Sequence, residues 1–264
     1  MAKLMKRIIK KGFNLISGRR QEHAIPKPFE CPVCGKHTDM EPFPLYYFEQ
    51  LQQHGFIHNI FLSETLNLLH FSCKSCGALD RDRLTALYLS NYLSDKQKIR
   101  LLDIAPGTSL RQFLQQKDNI IYRTADLYRK DVDDNVDITD MRCYSDESFD
   151  FFICSHVLEH VYDDKKALSE LHRILQKGGH GIIMVPINLG VENTIEDTAC
   201  TDIPTRWKLF GQDDHLRMYS KQDFIKSMEL AGFTVAQLGE PFFGAEAFQK
   251  AAIYPNSILY IVSK

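Results

Sequence analysis

The sequence predicts an α/β fold: a mainly parallel β-sheet with helices on both faces, preceded by a small cysteine-bearing unit. Three observations predict it. From about residue 98 onward, short apolar runs alternate with helix-period segments, the pattern of a parallel sheet assembled from βαβ units. In the first unit, Arg100-Leu-Leu-Asp-Ile-Ala-Pro-Gly-Thr-Ser-Leu110 reads as strand, small-residue turn and helix start, and a second acid, Asp126, closes the next apolar run. Upstream, Cys31-Pro-Val-Cys34-Gly35 and Cys73-Lys-Ser-Cys76-Gly77 form two C-x-x-C pairs.

With 264 residues the chain can bury a full α/β core and carry an appendage. The spacing divides it into residues 1–28, 29–97 and 98–264. The first segment is basic and amphipathic and ends in a linker with Pro26 and Pro28. Its first 20 residues hold Lys3, Lys6, Arg7, Lys10, Lys11, Arg19 and Arg20 and no acid, so everything after them is more acidic than the net −2 of the whole. Leu4, Met5, Ile8, Ile9, Phe13 and Ile16 fall at roughly helical spacing. Two readings stay open: a helix lying on an anionic membrane surface, or a solvated helix packed on its own protein.

In the second segment, each C-x-x-C gap lets both thiolates face one ion. Two such knuckles make a closed site of four ligands, Cys31, Cys34, Cys73 and Cys76, which suits structural Zn2+ and leaves no open catalytic position. The span between Cys34 and Cys73 exceeds that of a compact ribbon and holds a predicted helix, Leu45 to His54, and an apolar stretch, Ile57 to Leu69. His37 and His70 read as bystanders. Leu79 to Leu93 reads as a helix carrying Arg81 and Arg83.

Within residues 98–264, helix Leu110 to Gln116 precedes a strand at Ile120 to Thr124. Phe149-Asp-Phe-Phe-Ile-Cys154 reads as a buried strand, and Lys165 to Gln176 as an amphipathic helix broken by Gly178-Gly179. Gly181 to Val185 is the next strand. The stretch 186–219 lacks clear periodicity, which suggests a substrate lid. Helix Lys221 to Ala231 and strands near Phe233 to Leu238 and Ile258 to Val262 complete the pattern.

The acidic body is a poor match to a phosphate backbone, so DNA is excluded as a partner and RNA disfavoured. No run reaches the roughly 20 apolar residues of a membrane span. There is neither a long apolar h-region nor a small-residue cleavage site at the start. Seven cysteines, four of them in knuckles, suggest metal in a reducing compartment, hence the cytoplasm.

Asp103-x-Ala-Pro-Gly107, Asp126, Asp137-Ile138 and Cys154-Ser-His-Val-Leu-Glu-His-Val161, followed by Leu175-Gln-Lys-Gly-Gly179 and Val185-Pro186, resemble the successive motifs of class I S-adenosylmethionine-dependent methyltransferases. The two knuckles, Asp80-Arg-Asp-Arg83 and Phe210-Gly-Gln-Asp-Asp-His215-Leu-Arg217 are similar to a bacterial subgroup with an N-terminal zinc knuckle, associated with surface-polysaccharide or other small-molecule tailoring. Ala105-Pro106 replaces the usual Gly-x of the family. The resemblance implies a seven-stranded Rossmann-like sheet over residues 98–264 that binds S-adenosyl-L-methionine. It sets Asp103, Ala105, Pro106 and Gly107 beside the amino acid moiety and Asp126, with Leu127, at the ribose. Asp137 and Ile138 meet the adenine; Ser155 and His156 border the methyl group.

Transfer to a hydroxyl benefits from a general base, and histidine is tuned for that. His156 and His215 are the candidates, with Asp214 as orienter or alternative base; His160 reads as a packing or capping residue. Arg206, Gln212, His215 and Arg217 are candidates to grip the acceptor, with Glu192 and Glu196 in a similar position. Cys143, Cys154 and Cys200 read as incidental. The expected activity is O-methylation of a small polar acceptor: a sugar, nucleotide sugar or phosphate-linked precursor of a surface polysaccharide. An RNA base N-methyltransferase and a non-catalytic zinc scaffold that binds cofactor are the alternatives.

Overall fold

Strands buried on both faces organise the molecule, as the uninterrupted apolar runs require. The computed structural model describes residues 29–94 and 98–264. The basic segment 1–28, with both of its readings, lies outside the described residues. The N-terminal unit contains β1 (Phe29–Glu30), β2 (His37–Thr38), β3 (Met40–Glu41), α1 (Leu45–Gln53) and β4 (Ser72–Cys73), with a 3-10 turn at Ile60–Leu62. β1 pairs with β2 and β3 with β4, both antiparallel. Helix α2 (Asp80–Tyr92) leads into β5 (Ile99–Ile104), α3 (Thr108–Gln115), β6 (Ile120–Asp126), β7 (Asp134–Asn135), β8 (Phe149–Ser155), α4 (Asp164–Ile174) and β9 (Leu175–Met184). The chain continues through β10 (Ile195–Glu196), α5 (Ile203–Phe210), β11 (Arg217–Met218) and α6 (Lys221–Leu230). β12 (Thr234–Leu238), α7 (Glu240–Phe243), α8 (Ala245–Lys250) and β13 (Leu259–Ser263) complete it.

Seven strands form one sheet in the order β12-β13-β9-β8-β5-β6-β7. β13 runs antiparallel to both neighbours and the remaining pairs are parallel. This is the expected Rossmann-like sheet. In β8, Phe151, Phe152, Ile153 and Cys154 are all buried, which a strand covered on both faces demands. Leu168, Leu171 and Ile174 give α4 its buried stripe, and Asp163 caps its first turn by accepting from Lys166 N. No helix among the described residues is long and apolar enough to cross a membrane.

Three segments differ from the expectation. Helix α4 stops at Ile174, and β9 begins at once and runs through Gly178-Gly179. Gly178 takes φ +74° there, and the backbone of Lys264 bonds to both glycines. The stretch 186–219 is not irregular: it holds α5 and the antiparallel pair β10–β11. Asp202 caps α5 through Thr205 N, with Pro204 in the first turn, a start signal that the apolar periodicity alone does not carry. The loop before Asn256 contains α7 and α8.

The N-terminal unit joins the sheet through one buried cation. Arg83 is fully buried, and its five N–H donors meet five carbonyls. Nε donates to Ala251 O (2.7 Å), Nη1 to Phe71 O (3.2 Å) and Ala78 O (2.9 Å), and Nη2 to His70 O (2.6 Å) and Ala252 O (2.9 Å). Asp80, also buried, supplies the main compensating charge. Buried Glu64 adds a second tie, accepting from Lys221 Nζ and Tyr260 Oη at 2.7 Å each. One apolar cluster therefore runs from Cys31 and Cys73 into the strands.

Asp103, the last residue but one of β5, is 2% exposed and accepts from Tyr122 Oη at 2.6 Å. Burial pushes its carboxyl up to about 7, and the Tyr122 hydrogen bond offsets only part of that. Its proton is held in the folded state to about pH 7, whereas the ordinary value is 3.8. Stability from this group is therefore present at low pH, falls as pH rises through that window and levels off above it.

Replacing Arg83 with Met removes five hydrogen bonds, leaves the carbonyls of His70 and Ala251 without a donor among the described residues and strips buried Asp80 of its main countercharge. It is expected to cost at least about 3 kcal/mol, lowering the melting temperature by roughly 10 °C. Arg83→Lys, which cannot reproduce a five-donor fork, recovers little of it. Thermal melts of the three proteins decide this. For Asp103→Asn, the stability advantage over wild type grows from pH 4 to pH 7 and is constant above; parallel urea midpoints across that range would refute the assignment.

Candidate active site

A cleft of about 540 Å3 opens at the carboxyl ends of β5, β6 and β8. Open parallel sheets bind ligands at this edge. Of the residues assigned to the cofactor, Ala105, Asp126, Leu127, Asp137, Ile138 and His156 line the cleft. Asp103, Pro106, Gly107 and Ser155 do not. Asp103 instead lies beneath the turn, held by Tyr122. Asp126 Oδ1 accepts from the backbone N–H of Tyr128 (2.7 Å) and Arg129 (2.9 Å), while no bond engages Oδ2 among the described residues. Asp137 Oδ1 likewise holds Thr139 through its N–H and hydroxyl, 2.8 Å each. Each carboxylate thus fixes its own loop with one oxygen.

Two non-glycine residues at this edge take left-handed backbone, Ala105 (φ +52°) and His156 (φ +56°). Both follow the last residue of a central strand, and both bond onward to a neighbouring strand: Ala105 N to Ala125 O and His156 N to Met184 O, each 2.8 Å. Such strain persists only where the surrounding ladder enforces it. Here it turns the chain abruptly and sets the His156 side chain at the cleft.

A second cavity, of about 430 Å3, lies between the N-terminal unit and the segment after β9. Phe43, Tyr47, Phe56 and Phe71 supply one wall, and Ile187, Phe210, Gln212 and His215 the other. Arg81 is the single Lys or Arg among its lining residues. Gly211 ends α5 in the left-handed region, where a Cβ would approach the Phe56 ring to 3.1 Å. The wall is held across the chain by Ile57 N to Lys208 O (3.1 Å), Asn188 Nδ2 to Asn59 O (2.8 Å) and Leu189 N to Leu62 O (2.8 Å).

His156 and His160 line both cavities and form the wall between them. His160, which reads from sequence as a packing residue, therefore stands at the junction. Asp214 orients it, Oδ2 lying 3.2 Å from His160 Nδ1, rather than His156 or His215. His215 is buried, its Nδ1 3.3 Å from Phe210 O. Burial pulls the His156 imidazole down to about 4, so the ring is neutral near pH 7 and keeps a lone pair.

The expected acceptor grip is only partly assembled. Gln212 and His215 line the second cavity; Arg206 and Arg217 line neither. Arg206 donates to Cys200 O and Asp213 O, closing its own loop. Arg217 is fully buried: it donates to the carbonyls of Leu158, Val161 and Tyr162 and pairs with Glu196 at 2.7 Å. It bolts β11 to the turn after β8, supplying donors to Val161 O and Tyr162 O and sharing Leu158 O with Val161 N. Glu192 lines neither cavity.

Sequence reasoning passes over Glu159. This residue is completely buried, lines the second cavity and is flanked by three histidines. Its signal is an acid inside the apolar run Val157-Leu158-Glu159, with His156 on one side and His160 on the other. The aromatic wall from residues 43–71 is also missed; its signal is the length of the insert between the knuckles.

The four knuckle cysteines converge. Cys31 Sγ lies 3.9 Å from Cys76 Sγ and Cys34 Sγ 4.0 Å from Cys73 Sγ, with all four sulfurs within 4.8 Å of one another. A tetrahedron with Zn–S bonds of about 2.3 Å has an edge of about 3.8 Å. The residues fit that ion.

The family model described as a methyltransferase domain matches residues 79–238. No curated protein matches the chain in sequence. Similar solved structures include an S-adenosylmethionine-dependent methyltransferase from Archaeoglobus fulgidus, at 14% identity over 69% of this chain and 92% of that one (TM-score 0.43). Another is the 1,6-didemethyltoxoflavin-N1-methyltransferase of Burkholderia thailandensis with bound S-adenosylhomocysteine, at 15% identity over 69% and 75% (TM-score 0.41). The [4+2]-cyclase SpnF shares 17% identity over 85% and 97% (TM-score 0.46). Because the family match spans more than half of the sequence, the chain belongs to the methyltransferase domain family and is a class I S-adenosylmethionine-dependent methyltransferase.

Proposed function

We propose that this enzyme transfers a methyl group to an oxygen of a small polar acceptor, such as a sugar, a nucleotide sugar or a phosphate-linked precursor. The observation that carries the reading is the pair of adjoining cavities with His156 and His160 as their common wall. One cavity matches the cofactor motifs; the other is enclosed by a separate structural unit and suits a small molecule. Arg81, its one guanidinium, suits an anionic group on the acceptor, and the aromatic wall suits a ring.

When bound, S-adenosylmethionine supplies an electrophilic methyl group whose sulfonium leaving group departs neutral, so no residue needs to protonate it. Asp126, through its unengaged Oδ2, would accept from the ribose hydroxyls. Asp137 would accept from the adenine amino group and Ile138 would pack on the ring. Ala105, with its left-handed backbone, lets the chain pass close to the amino acid end. The neutral His156 is placed to take the acceptor proton as the new bond forms, with the Asp214-oriented His160 beside it on the shared wall. Positioning and exclusion of water supply most of the remaining rate.

The four-cysteine cluster we assign to a structural zinc. It holds β1 to β4 together and, through them, the aromatic wall of the second cavity.

Calorimetry with S-adenosylhomocysteine tests the cofactor site. Wild type is expected to bind, and Asp126→Ala to bind about 100-fold more weakly, the loss of two charge-assisted hydrogen bonds. No binding by folded wild-type protein would sink the reading; given binding, an acceptor screen begins with nucleotide sugars. For the zinc, Cys73→Ser is expected to hold one ion fewer per chain by elemental analysis and to melt roughly 10 °C lower or more. An unchanged metal count would remove that assignment.

A further inference from the structure

Glu159, His160 and His215 present one donor atom each, all within 4.8 Å of one another, on the wall of the second cavity. Glu159 is fully buried, and neither of its carboxylate oxygens has a hydrogen-bond partner. His156 Nδ1 lies 3.3 Å from Oε1, off the line a hydrogen bond needs, and His160 Nε2 lies 3.9 Å away. A buried carboxylate with two bare oxygens demands a compensating positive charge.

The histidines are arranged as ligands rather than as donors to that carboxylate. His160 Nδ1 faces Asp214 Oδ2 at 3.2 Å, and His215 Nδ1 faces Phe210 O at 3.3 Å. With the proton on Nδ1 in both rings, each Nε2 keeps a free lone pair. This is the carboxylate- or carbonyl-backed imidazole that orients metal-bound histidines. Gln212 Nε2 in turn donates to Asp214 Oδ1 at 3.0 Å, fixing the backing carboxylate. The two imidazoles meet edge to face with centroids 4.7 Å apart, so neither blocks the other's approach to a common point.

Two further bonds fix the distance between the contributing segments. Leu216 N donates to Glu159 O at 2.9 Å, and Arg217 fastens the carbonyls of Leu158 and Val161. His215 is therefore locked against Glu159 and His160 although it lies far from both along the chain.

We propose that Glu159, His160 and His215 bind a divalent transition-metal ion whose open coordination positions face the second cavity. One carboxylate and two imidazoles suit Mn2+, Fe2+, Co2+ or Zn2+ and leave positions free for a ligand. The role of the ion rests on the methyl-transfer reading. A hydroxyl of the acceptor coordinates it and loses its proton to His156 or to solvent. The oxygen lone pair then forms the new C–O bond as the S–CH3 bond of S-adenosylmethionine breaks, its electron pair passing to sulfur. The ion acts as a Lewis acid on the acceptor oxygen. His156, outside the three ligands and 3.3 Å from Glu159, stands where that proton leaves.

The test is equilibrium dialysis of the full chain against Zn2+, Mn2+ and Co2+ in turn, with bound ions counted by elemental analysis. Glu159→Gln and His215→Ala are compared with wild type, and S-adenosylhomocysteine binding is measured on all three proteins. For at least one metal, wild type is expected to hold one ion more per chain than either variant, whatever the cysteine cluster holds. Asp214→Asn is expected to retain the ion with roughly 10- to 100-fold weaker affinity, the cost of losing the carboxylate behind His160. Equal counts in wild type and Glu159→Gln for all three metals would overturn the site. An extra ion without S-adenosylhomocysteine binding would uphold the site and overturn the methyl-transfer role instead.

Discussion

Arg83 is the interaction on which the arrangement depends. Its five hydrogen bonds gather carbonyls from the cysteine unit and from the turn after α8 onto a single helix. A guanidinium is buried here because no other side chain offers five donors in a plane, and its desolvation is offset by complete hydrogen bonding and by Asp80. Without that junction residues 43–71 would rely on the remaining ties, among them those through Glu64, Ile57, Asn59 and Leu62, and one wall of the second cavity would loosen. The constraint thus sits between two levels: it comes from packing, and what it secures is a binding surface.

A second cation does similar work closer to the chemistry. Arg217 lines neither cavity, yet it satisfies the carbonyls left at the end of the Leu158–His160 turn and draws β11 against it. The result is that residues from a local stretch, His156 to His160, meet Asp214 and His215 from a distant one. Both arginines show that a buried guanidinium in this fold is a fastener. Arg81, on the same helix as Arg83, turns to the cavity instead.

Much of this is legible in the residues. The alternation of apolar runs marks the strands of the sheet; Asp103 and Asp126 fall at the carboxyl ends of β5 and β6, and Asp137 just beyond β7. The paired knuckles bring four sulfurs together, since short C-x-x-C turns are locally determined. What escapes is long-range. Arg217 reads as a cation for the acceptor because its actual partners are mostly backbone carbonyls, which leave no trace in side-chain pattern. The burial of Glu159 depends on a segment far along the chain folding over it. The helix α5 is hidden because its burial is confined to Trp207 and Phe210, too few for a periodic stripe, although Asp202 and Pro204 mark its start.

The aromatic wall of the second cavity has a consequence for how such an enzyme changes its partners. Phe43, Tyr47, Phe56 and Phe71 all lie in the insert between the two cysteine knuckles, and none of them lines the first cleft. This aromatic wall and the residues of the first cleft thus come from separate stretches of chain. The insert can vary in length and composition while its two ends stay clamped by the cysteines, much as a variable loop varies on a constant framework. Exchanging Phe43, Tyr47, Phe56 and Phe71 between related chains would then alter one wall of the second cavity while leaving the cleft aspartates untouched.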